Sequence, residues 1–215
     1  MMIMRMTKYG HACVRLEKDG RALVIDPGVL TPETEATEGV EAVLVTHEHF
    51  DHFSLGALRD VPAIYTSQGV TRVLDETDGF RELDRDRVHV VRDGDTFEAA
   101  GFRVRVAGEK HHLSHLDFPP CDNVGFLLDD EVFHPGDALT RVDVPTLLVP
   151  GQAPWLTVPM MTAYLRAVAP ERAFAIHDGL VNEMGLRVID DVLEMEADRA
   201  GREIRRPSAG EVVEL

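Results

Sequence analysis

The sequence predicts an α/β fold, a four-layer αββα sandwich in which two β-sheets lie between outer helices. Short apolar strand patterns dominate the first half of the chain, and helices alternate with strands toward its end. A doubly wound parallel sheet would alternate from the start, so the sandwich fits better. The 215 residues contain no linker, repeat or low-complexity segment, which predicts one domain spanning residues 1–215.

In the first half, the strands are predicted from alternating or continuous apolar runs. Asp19-Gly20 separates two of these runs and is typical of a tight hairpin turn. Strands are predicted within residues 1–11, 11–17, 21–28, 41–47, 62–67, 87–97 and 102–108, and helices at 54–60 and 69–77.

The second half opens with a hairpin over residues 125–137 that turns at Asp129-Asp130. Strands are then predicted at 145–150, 173–179 and 211–215, and helices at 158–170 and 185–201. Pro170 stops the first of these helices, and Gly201 ends the second.

The chain is strongly acidic, with 22 Lys and Arg against 38 Asp and Glu and a formal charge of −16. Binding to nucleic acids or anionic membranes needs clustered basic residues, so neither partner is expected. No apolar run approaches the roughly 20 residues of a membrane span, and the N-terminus lacks a leader's apolar core. The two cysteines, Cys13 and Cys121, form no CxxC pair and indicate a reduced, cytoplasmic setting.

The segment "THEHFDH" concentrates ligand-type side chains directly after an apolar run. His47, His49, Asp51 and His52 fall within six residues. Imidazole and carboxylate groups are good ligands for zinc and other divalent first-row metals. Alternate residues of an extended chain point the same way, so His47 and His49 can bind one ion, while Asp51 and His52 face a second position. A solvated surface loop is the alternative, and burying these groups together is costly without a metal.

This spacing, H-x-H-x-D-H, resembles the signature of the metallo-β-lactamase superfamily, whose members share an αββα fold. "VFHPGDAL" resembles the family element whose aspartate, here Asp137, bridges two metals, and "AFAIHDG" resembles the element that supplies a last histidine, His177. "LVIDPG" resembles the early turn whose aspartate, here Asp26, supports the histidine loop, although an ordinary Asp-Pro-Gly turn is an alternative. The resemblance implies two divalent ions, expected to be zinc, with manganese, iron or nickel suited to the same ligands.

The resemblance also implies a further histidine ligand beside His47 and His49, and three candidates compete for it. His111 and His112 lie near the end of the strand predicted at 102–108, whereas His115 lies farther along. This position favours His111, then His112, and leaves His115 to line the pocket or contact substrate. A proton donor is an alternative role for one of the histidines that is not the ligand. Asp51, His52 and His177 would hold the second ion. Trp155 is interpreted either as a pocket wall or as a buried anchor for the following helix.

Three other histidines have weaker patterns. His11 starts a strand and either faces the cleft or makes a structural hydrogen bond. His134 lies three residues before Asp137 and is a candidate to support the ligands. His89 alternates with valines as an ordinary strand residue does.

Within the superfamily, the layout of almost the whole chain is similar to a compact subgroup typified by ascorbate-6-phosphate lactonase. The segments that carry this similarity are "YGHACVRLEKDGRALVIDPG", "NVGFLLDDEVFHPGD" and "LLVPGQAPWLTVPMMTAYLRAVAPERAFAIHDG". The resemblance implies a metal-dependent hydrolase that cleaves a small ester, lactone or related substrate with a hydroxide held by the metals. Asp51 would orient this nucleophile and receive its proton. Lys110 and Arg141 are the nearest basic residues for a phosphate, and no cluster accompanies them.

Two other functions stay open. A phosphodiesterase or nuclease could use the same metals, although the basic groove that it would need is not visible. A metal-binding protein without turnover is the alternative from another class, but every ligand position is filled. The expected partner is a small-molecule substrate, and a homo-oligomer is also open because superfamily members often self-associate.

Overall fold

Two seven-stranded sheets form the centre of the computed structural model, which describes residues 3–78 and 83–215. The first sheet has the order β14 (Val212–Glu214), β1 (Arg5–Gly10), β2 (Cys13–Lys18), β3 (Arg21–Ile25), β4 (Ala42–Val45), β5 (Ala63–Thr66) and β6 (Val88–Val90). The second has the order β13 (Glu203–Arg205), β12 (Arg172–Ile176), β11 (Thr146–Pro150), β10 (Val132–His134), β9 (Gly125–Leu128), β8 (Phe102–Ala107) and β7 (Thr96–Ala99). Both sheets are mixed, with parallel and antiparallel pairs.

Helices cover the outer faces of both sheets. The first sheet packs against α1 (Glu33–Thr37), α2 (Leu55–Leu58) and α3 (Gln68–Glu76), and the second against α4 (Val158–Val168) and α5 (Glu183–Ala200). The predicted four-layer αββα sandwich is therefore confirmed.

None of the helices within residues 3–78 and 83–215 is long and apolar enough to cross a membrane.

The main core lies between the two sheets, because alternate side chains of a strand point to opposite faces. In β4, Leu44 faces the second sheet, whereas Val43 and Val45 face the helices. Phe102 and Val104 of β8 point into the same inner core, and the intervening Arg103 is exposed.

Strand direction brings the ends of distant strands to one edge of the sandwich. In the first sheet, β3, β4 and β5 are parallel, and β1 runs the same way because two antiparallel pairs connect it to β3. In the second sheet, β10, β11 and β12 are parallel, and β8 shares their direction for the same reason. The loops that follow these strands therefore meet at one edge.

Two predicted hairpins are confirmed by their turn residues. Asp19 and Gly20 both have positive φ, 54° and 73°, and connect β2 to β3. Asp129 and Asp130 do the same between β9 and β10, with φ of 52° and 57°. Positive φ at both central residues is the conformation that matches the twist of the flanking strands.

The prediction of one strand pattern over residues 87–97 is wrong. This segment forms β6 in the first sheet and β7 in the second. The chain crosses between the sheets at a turn in which Asp95 Oδ2 accepts a hydrogen bond of 2.8 Å from the Arg92 backbone N–H. The sequence analysis also missed α1 and β13, both of which are short. The helix α5 begins two residues earlier than predicted, because Asn182 Oδ1 accepts bonds from the backbone N–H groups of Met184 and Gly185.

The two long helices are joined by a buried carboxylate. Glu196 on α5 accepts hydrogen bonds from Arg166 of α4, with Nε 3.0 Å from Oε2, and from Arg199, with Nε 2.9 Å from Oε2. These bonds, led by the one from Arg166, lower the pKa of Glu196 to about 2 although burial opposes the shift.

We expect Glu196→Gln to lower the free energy of unfolding at pH 7 by about 1–2 kcal/mol. The folded-state pKa lies below the unfolded value, so this stabilisation is present above about pH 4.5 and fades as the pH falls toward 2. Urea unfolding at pH 7 and pH 4 measures the difference. The exposed Glu194→Gln is the matched control and should change stability by less than about 0.5 kcal/mol. Equal losses of unfolding free energy in both variants would show that the hydrogen bonds of Glu196 do not stabilise the contact between α4 and α5.

Candidate metal centre

Ligand-type side chains gather where the parallel strand ends meet. The loops after β1, β3, β4, β8, β10 and β12 carry, in that order, His11, Asp26, the residues of the "THEHFDH" segment, His111, Asp137 and His177. The side chains therefore come from both sheets to one edge, as expected for loops at the carboxyl ends of parallel strands.

These side chains form two groups, and in each group one nitrogen or oxygen atom from every residue lies within 4.8 Å of those from the others. One group consists of His47, His49, His111 and Asp137, and the other of His11, Asp51, His52 and His177. Apart from His11, these are the seven residues that the sequence assigned to two ions. The structure brings all seven together, and their role as ligands stays a prediction.

Asp137 lies between the two groups. Its Oδ1 is 3.3 Å from His52 Nε2, and its Oδ2 is 3.2 Å from His177 Nε2 and 3.3 Å from His111 Nε2. One carboxylate thus faces histidines of both groups, which is the arrangement predicted for a bridging ligand.

Four atoms at the centre are buried without a hydrogen-bond partner in the described structure: His52 Nε2, His111 Nε2, His177 Nε2 and Asp137 Oδ1. Each unsatisfied buried polar atom costs about 1–3 kcal/mol. Convergence of four such atoms on one spot is costly for the bare polypeptide. Divalent cations would satisfy them, so the residues present fit two metal ions.

The other nitrogen of each of these three imidazole rings, Nδ1, donates a hydrogen bond. His52 Nδ1 donates to Asp26 Oδ2 at 2.7 Å, His111 Nδ1 donates to the His112 carbonyl, and His177 Nδ1 donates to the Gln152 carbonyl. In a neutral imidazole, a proton on Nδ1 leaves the lone pair on Nε2. The hydrogen bonds therefore select the tautomer in which Nε2 can bind a cation.

His47 and His49 present their nitrogens to each other. His47 Nδ1 donates to the Thr46 hydroxyl at 3.0 Å, which leaves its Nε2 only 3.0 Å from His49 Nδ1. The other His49 nitrogen, Nε2, faces the Cys121 sulfur at 3.9 Å. The sequence analysis gave Cys121 no role at the site.

Asp26 supports the histidine loop from beneath, as the sequence predicted. Its buried carboxylate accepts hydrogen bonds from the Thr46 backbone N–H at 2.8 Å, the Thr46 hydroxyl at 2.7 Å and His52. Gly28 allows the close approach, because a Cβ there would lie 2.0 Å from the Asp51 carbonyl oxygen. The Asp-Pro-Gly turn is thus both a turn and a support for His52.

Two side chains, Trp155 and Asn123, make hydrogen bonds with Asp137. Trp155, which was left open between pocket wall and anchor, is buried, and its Nε1 donates to Asp137 Oδ2 at 2.9 Å. Asn123, which was missed, accepts the Asp137 backbone N–H through its Oδ1 at 2.9 Å. Only the fully buried position of Asn123, shortly before a strand, could have signalled its role, and burial is not visible in one sequence.

The three candidates for the further histidine ligand separate clearly in space. His111 is buried with its Nε2 at the centre. The His112 ring stacks on Trp155, with 4.9 Å between centroids, and belongs to neither group. The His115 side chain is 54% exposed and lies beside Phe118, 4.8 Å between centroids. This geometry favours His111, the first choice of the sequence analysis.

His11 has a role that the sequence analysis left open. Its Nδ1 accepts the Gly179 backbone N–H at 2.9 Å, so the proton of the neutral ring lies on Nε2, which donates to Asp51 Oδ2 at 3.0 Å. Burial lowers the pKa of His11 and favours this neutral form. His11 therefore holds the carboxylate of Asp51 and has no lone pair left for a cation.

The remaining histidines lie outside the two groups. His134 is buried, accepts the Gly136 N–H through Nδ1 and donates from Nε2 to the Ala12 carbonyl at 3.0 Å. This ring connects the two sheets close to the centre. His89 is an exposed residue of β6 beside Tyr65, as its alternating pattern indicated.

Burial and charge act in opposite directions on these groups. Burial lowers the pKa of His47 well below its usual value. Burial also lowers the pKa of His52, but the carboxylates of Asp137 and Asp26 outweigh it and raise the pKa well above the usual value, so a cation bound at Nε2 would have to displace a proton from it. Burial raises the pKa of Asp51, whereas the hydrogen bond from His11 and the neighbouring histidines reduce it to about 2. Asp51 is therefore a carboxylate at neutral pH.

The fold and the paired His/Asp groups define a class of metal-binding αββα proteins, and comparison with known proteins identifies the family. A family model described as "Beta-lactamase superfamily domain" matches residues 5–177. The chain belongs to the metallo-β-lactamase superfamily.

Individual relatives agree with this family. Protein Rv0786c of Mycobacterium tuberculosis is 33% identical over 83% of this chain and 85% of its own length. A UPF0173 metal-dependent hydrolase of Methanocaldococcus jannaschii is 26% identical over 98% of this chain and all of its own length. The solved structure of Igni18, a metallo hydrolase from Ignicoccus hospitalis, has a TM-score of 0.71 at 19% identity, covering 99% of this chain and 98% of its own, and shows the shared fold. The lactonase subgroup stays a prediction.

We expect His111→Ala to reduce the bound metal by about one ion per chain, because it removes a buried ligand atom. The exposed His115→Ala is the control and should keep the metal content of the unmodified protein. Elemental analysis of purified, metal-loaded samples measures both. A loss of metal in the His115 variant, or none in the His111 variant, would show that the ligand was assigned to the wrong histidine.

Proposed function

We propose that this metal-dependent hydrolase cleaves a small ester, lactone or related carbonyl substrate. The observation that supports the reaction best is the convergence of four buried, unpartnered atoms, His52 Nε2, His111 Nε2, His177 Nε2 and Asp137 Oδ1. A pair of divalent ions, zinc in the first instance, would satisfy them and create the electrophilic centre that hydrolysis needs.

The proposed ligand sets follow the two groups. His47, His49 and His111 would hold one ion, and Asp51, His52 and His177 would hold the other. Asp137 faces both groups, with Oδ2 near His111 and His177 and Oδ1 near His52. When bound, two divalent ions would lower the pKa of a water and polarise the substrate oxygen that gains charge.

Asp51 is proposed to orient the attacking water and receive its proton. His11 fixes the direction of its carboxylate through the 3.0 Å hydrogen bond from His11 Nε2 to Asp51 Oδ2. Hydrolysis then joins the water oxygen to the carbonyl carbon and breaks the carbon–oxygen bond of the ester. One water proton goes through Asp51 to the departing alkoxide.

A neutral substrate agrees with the charge of the chain better than a phosphorylated one. The seven loops around the centre, which are the six that carry its side chains and the loop after β11 that carries Trp155, contain two basic residues, Lys110 and Arg141; the loops are 11–12, 26–32, 46–54, 108–124, 135–145, 151–157 and 177–182. Lys110 is already paired with Asp122, 2.6 Å from its Oδ1, and Arg141 is exposed. The phosphosugar of the lactonase subgroup would meet no basic cluster, and neither would a nucleic acid.

A panel of substrates tests the function directly. Metal-loaded protein is expected to hydrolyse p-nitrophenyl acetate or γ-butyrolactone with a larger kcat/KM than bis(p-nitrophenyl) phosphate. Asp137→Ala, purified in the same way, should be inactive and so excludes a contaminating esterase. Faster cleavage of the phosphodiester would favour the phosphodiesterase alternative. A metal-replete sample that hydrolyses nothing in the panel would favour a metal-binding protein without turnover.

We expect His11→Ala to lower kcat/KM by about 10–100-fold with the metal content retained, because Asp51 loses the group that orients it. His11→Gln keeps an N–H donor at a similar reach and should recover most of the activity. Steady-state kinetics and elemental analysis on the same preparations separate this effect from loss of metal. Unchanged kcat/KM in His11→Ala would show that Asp51 does not depend on the bond.

A further inference from the structure

Large apolar side chains are exposed on the loops that carry the candidate metal centre. We call Val29, Leu30, Phe50, Leu116, Phe118 and Leu180 the apolar rim. Each of the six is more than one-third exposed, and they come from four loops, those after β3, β4, β8 and β12. Exposed apolar residues that cluster around a functional site are a common feature of ligand-binding surfaces.

The first part of the rim is tied directly to the predicted ligands. Phe50 lies between His49 and Asp51 and is 64% exposed. Its carbonyl accepts the Val29 backbone N–H at 3.0 Å, which joins the turn after β3 to the histidine loop. The backbone hydrogen bond between Val29 and Phe50 therefore joins two loops of the centre and also brings this part of the rim next to the predicted ligands.

The second part lies near His11 and His177. The Leu30 Cδ1 atom is 3.2 Å from the position that a Cβ on Gly179 would take, and Gly179 donates its N–H to His11. Leu180 follows directly on this loop, three residues after His177. Leu30 and Leu180 thus extend the rim from the histidine loop to the loop after β12.

The third part belongs to the loop after β8. Leu116 is 90% exposed and Phe118 is 65% exposed, a few residues after His111. The loop is anchored at the centre, because the His112 backbone N–H donates to the Asp137 carbonyl at 2.7 Å. A ligand that covered these two side chains would remove their apolar surface from water, which favours binding.

We propose that the apolar rim binds the non-reacting part of the substrate, so that the substrate is a carbonyl ester or lactone with an apolar acyl chain. This inference rests on the proposed function and narrows its substrate class. The scarcity of basic residues on the seven loops and the charge of −16 disfavour an anionic group at the same position.

The test is a chain-length series on metal-loaded protein: p-nitrophenyl acetate, butyrate and octanoate, all below their aggregation limits. We expect kcat/KM to rise by about tenfold or more from the acetyl to the octanoyl ester, because each added methylene gains apolar contact. Hydrolysis of the short esters with a flat or falling dependence on length would overturn the rim as a binding surface and leave the proposed function intact.

Two rim variants and one control locate the effect. Leu116→Ser and Phe50→Ser should each reduce the octanoyl-to-acetyl ratio of kcat/KM by about threefold or more, and Phe50→Leu should restore it. The control is Met195→Ser, an exposed residue of α5 about 16 Å along the helix from its first turn. Equal ratios in rim and control variants would overturn the proposal. Sedimentation velocity on the same samples tests whether a second copy of the chain covers the rim instead. If Leu116→Ser dissociates a dimer and leaves the octanoyl-to-acetyl ratio of kcat/KM unchanged, the proposal is also overturned.

A binding measurement keeps the inference testable without turnover. Calorimetric titration of metal-loaded protein with octanoate and acetate compares the two product acids directly. We expect octanoate to bind at least about tenfold more tightly, and Leu116→Ser to reduce the difference. If octanoate binds more tightly but no ester is hydrolysed, the proposed function is rejected and the rim remains a binding surface for an apolar chain. Equal binding of octanoate and acetate would reject the rim as such a surface.

Discussion

The carboxylate of Asp137 connects the parts of this protein on which function depends. It lies within 3.3 Å of imidazole nitrogens from His52, His111 and His177, which come from three different loops and from both sheets. Such a contact exists only because the carboxyl ends of the parallel strands meet at one edge of the sandwich. A polypeptide that buries one carboxylate among these rings bears a large desolvation cost, which bound cations would offset.

The groups around the centre fix its geometry before any substrate arrives. Asp26 orients His52, main-chain carbonyls orient His111 and His177, and His11 orients Asp51. In these four residues, a hydrogen bond away from the centre thus holds the ring or the carboxylate in place. Such support restricts tautomer and direction, which is the protein's contribution to metal chemistry. Trp155 adds a further donor to Asp137 and packs beside His112.

The layers of the fold could be predicted because strand and helix patterns are local, and the histidine loop could be recognised from its own spacing. Asp137 and His177 were predicted only from the resemblance of their segments to family elements, and the shared direction of their strands explains why they meet the histidine loop. The contact of His11 with Asp51 spans 40 positions and depends on tautomer, which no pattern records. Residues 87–97 were misread for a similar reason. Their apolar alternation is the same in either sheet, and only tertiary packing decides where the chain crosses.

The central claim is that two cations occupy the groups on either side of Asp137. Anomalous diffraction from crystals of zinc-loaded protein, recorded on both sides of the zinc absorption edge, tests it most directly. We predict two peaks, one among His47, His49 and His111 and one among Asp51, His52 and His177. A fully loaded crystal with no peak at either position, or with a single peak that Asp137 does not contact, would contradict it.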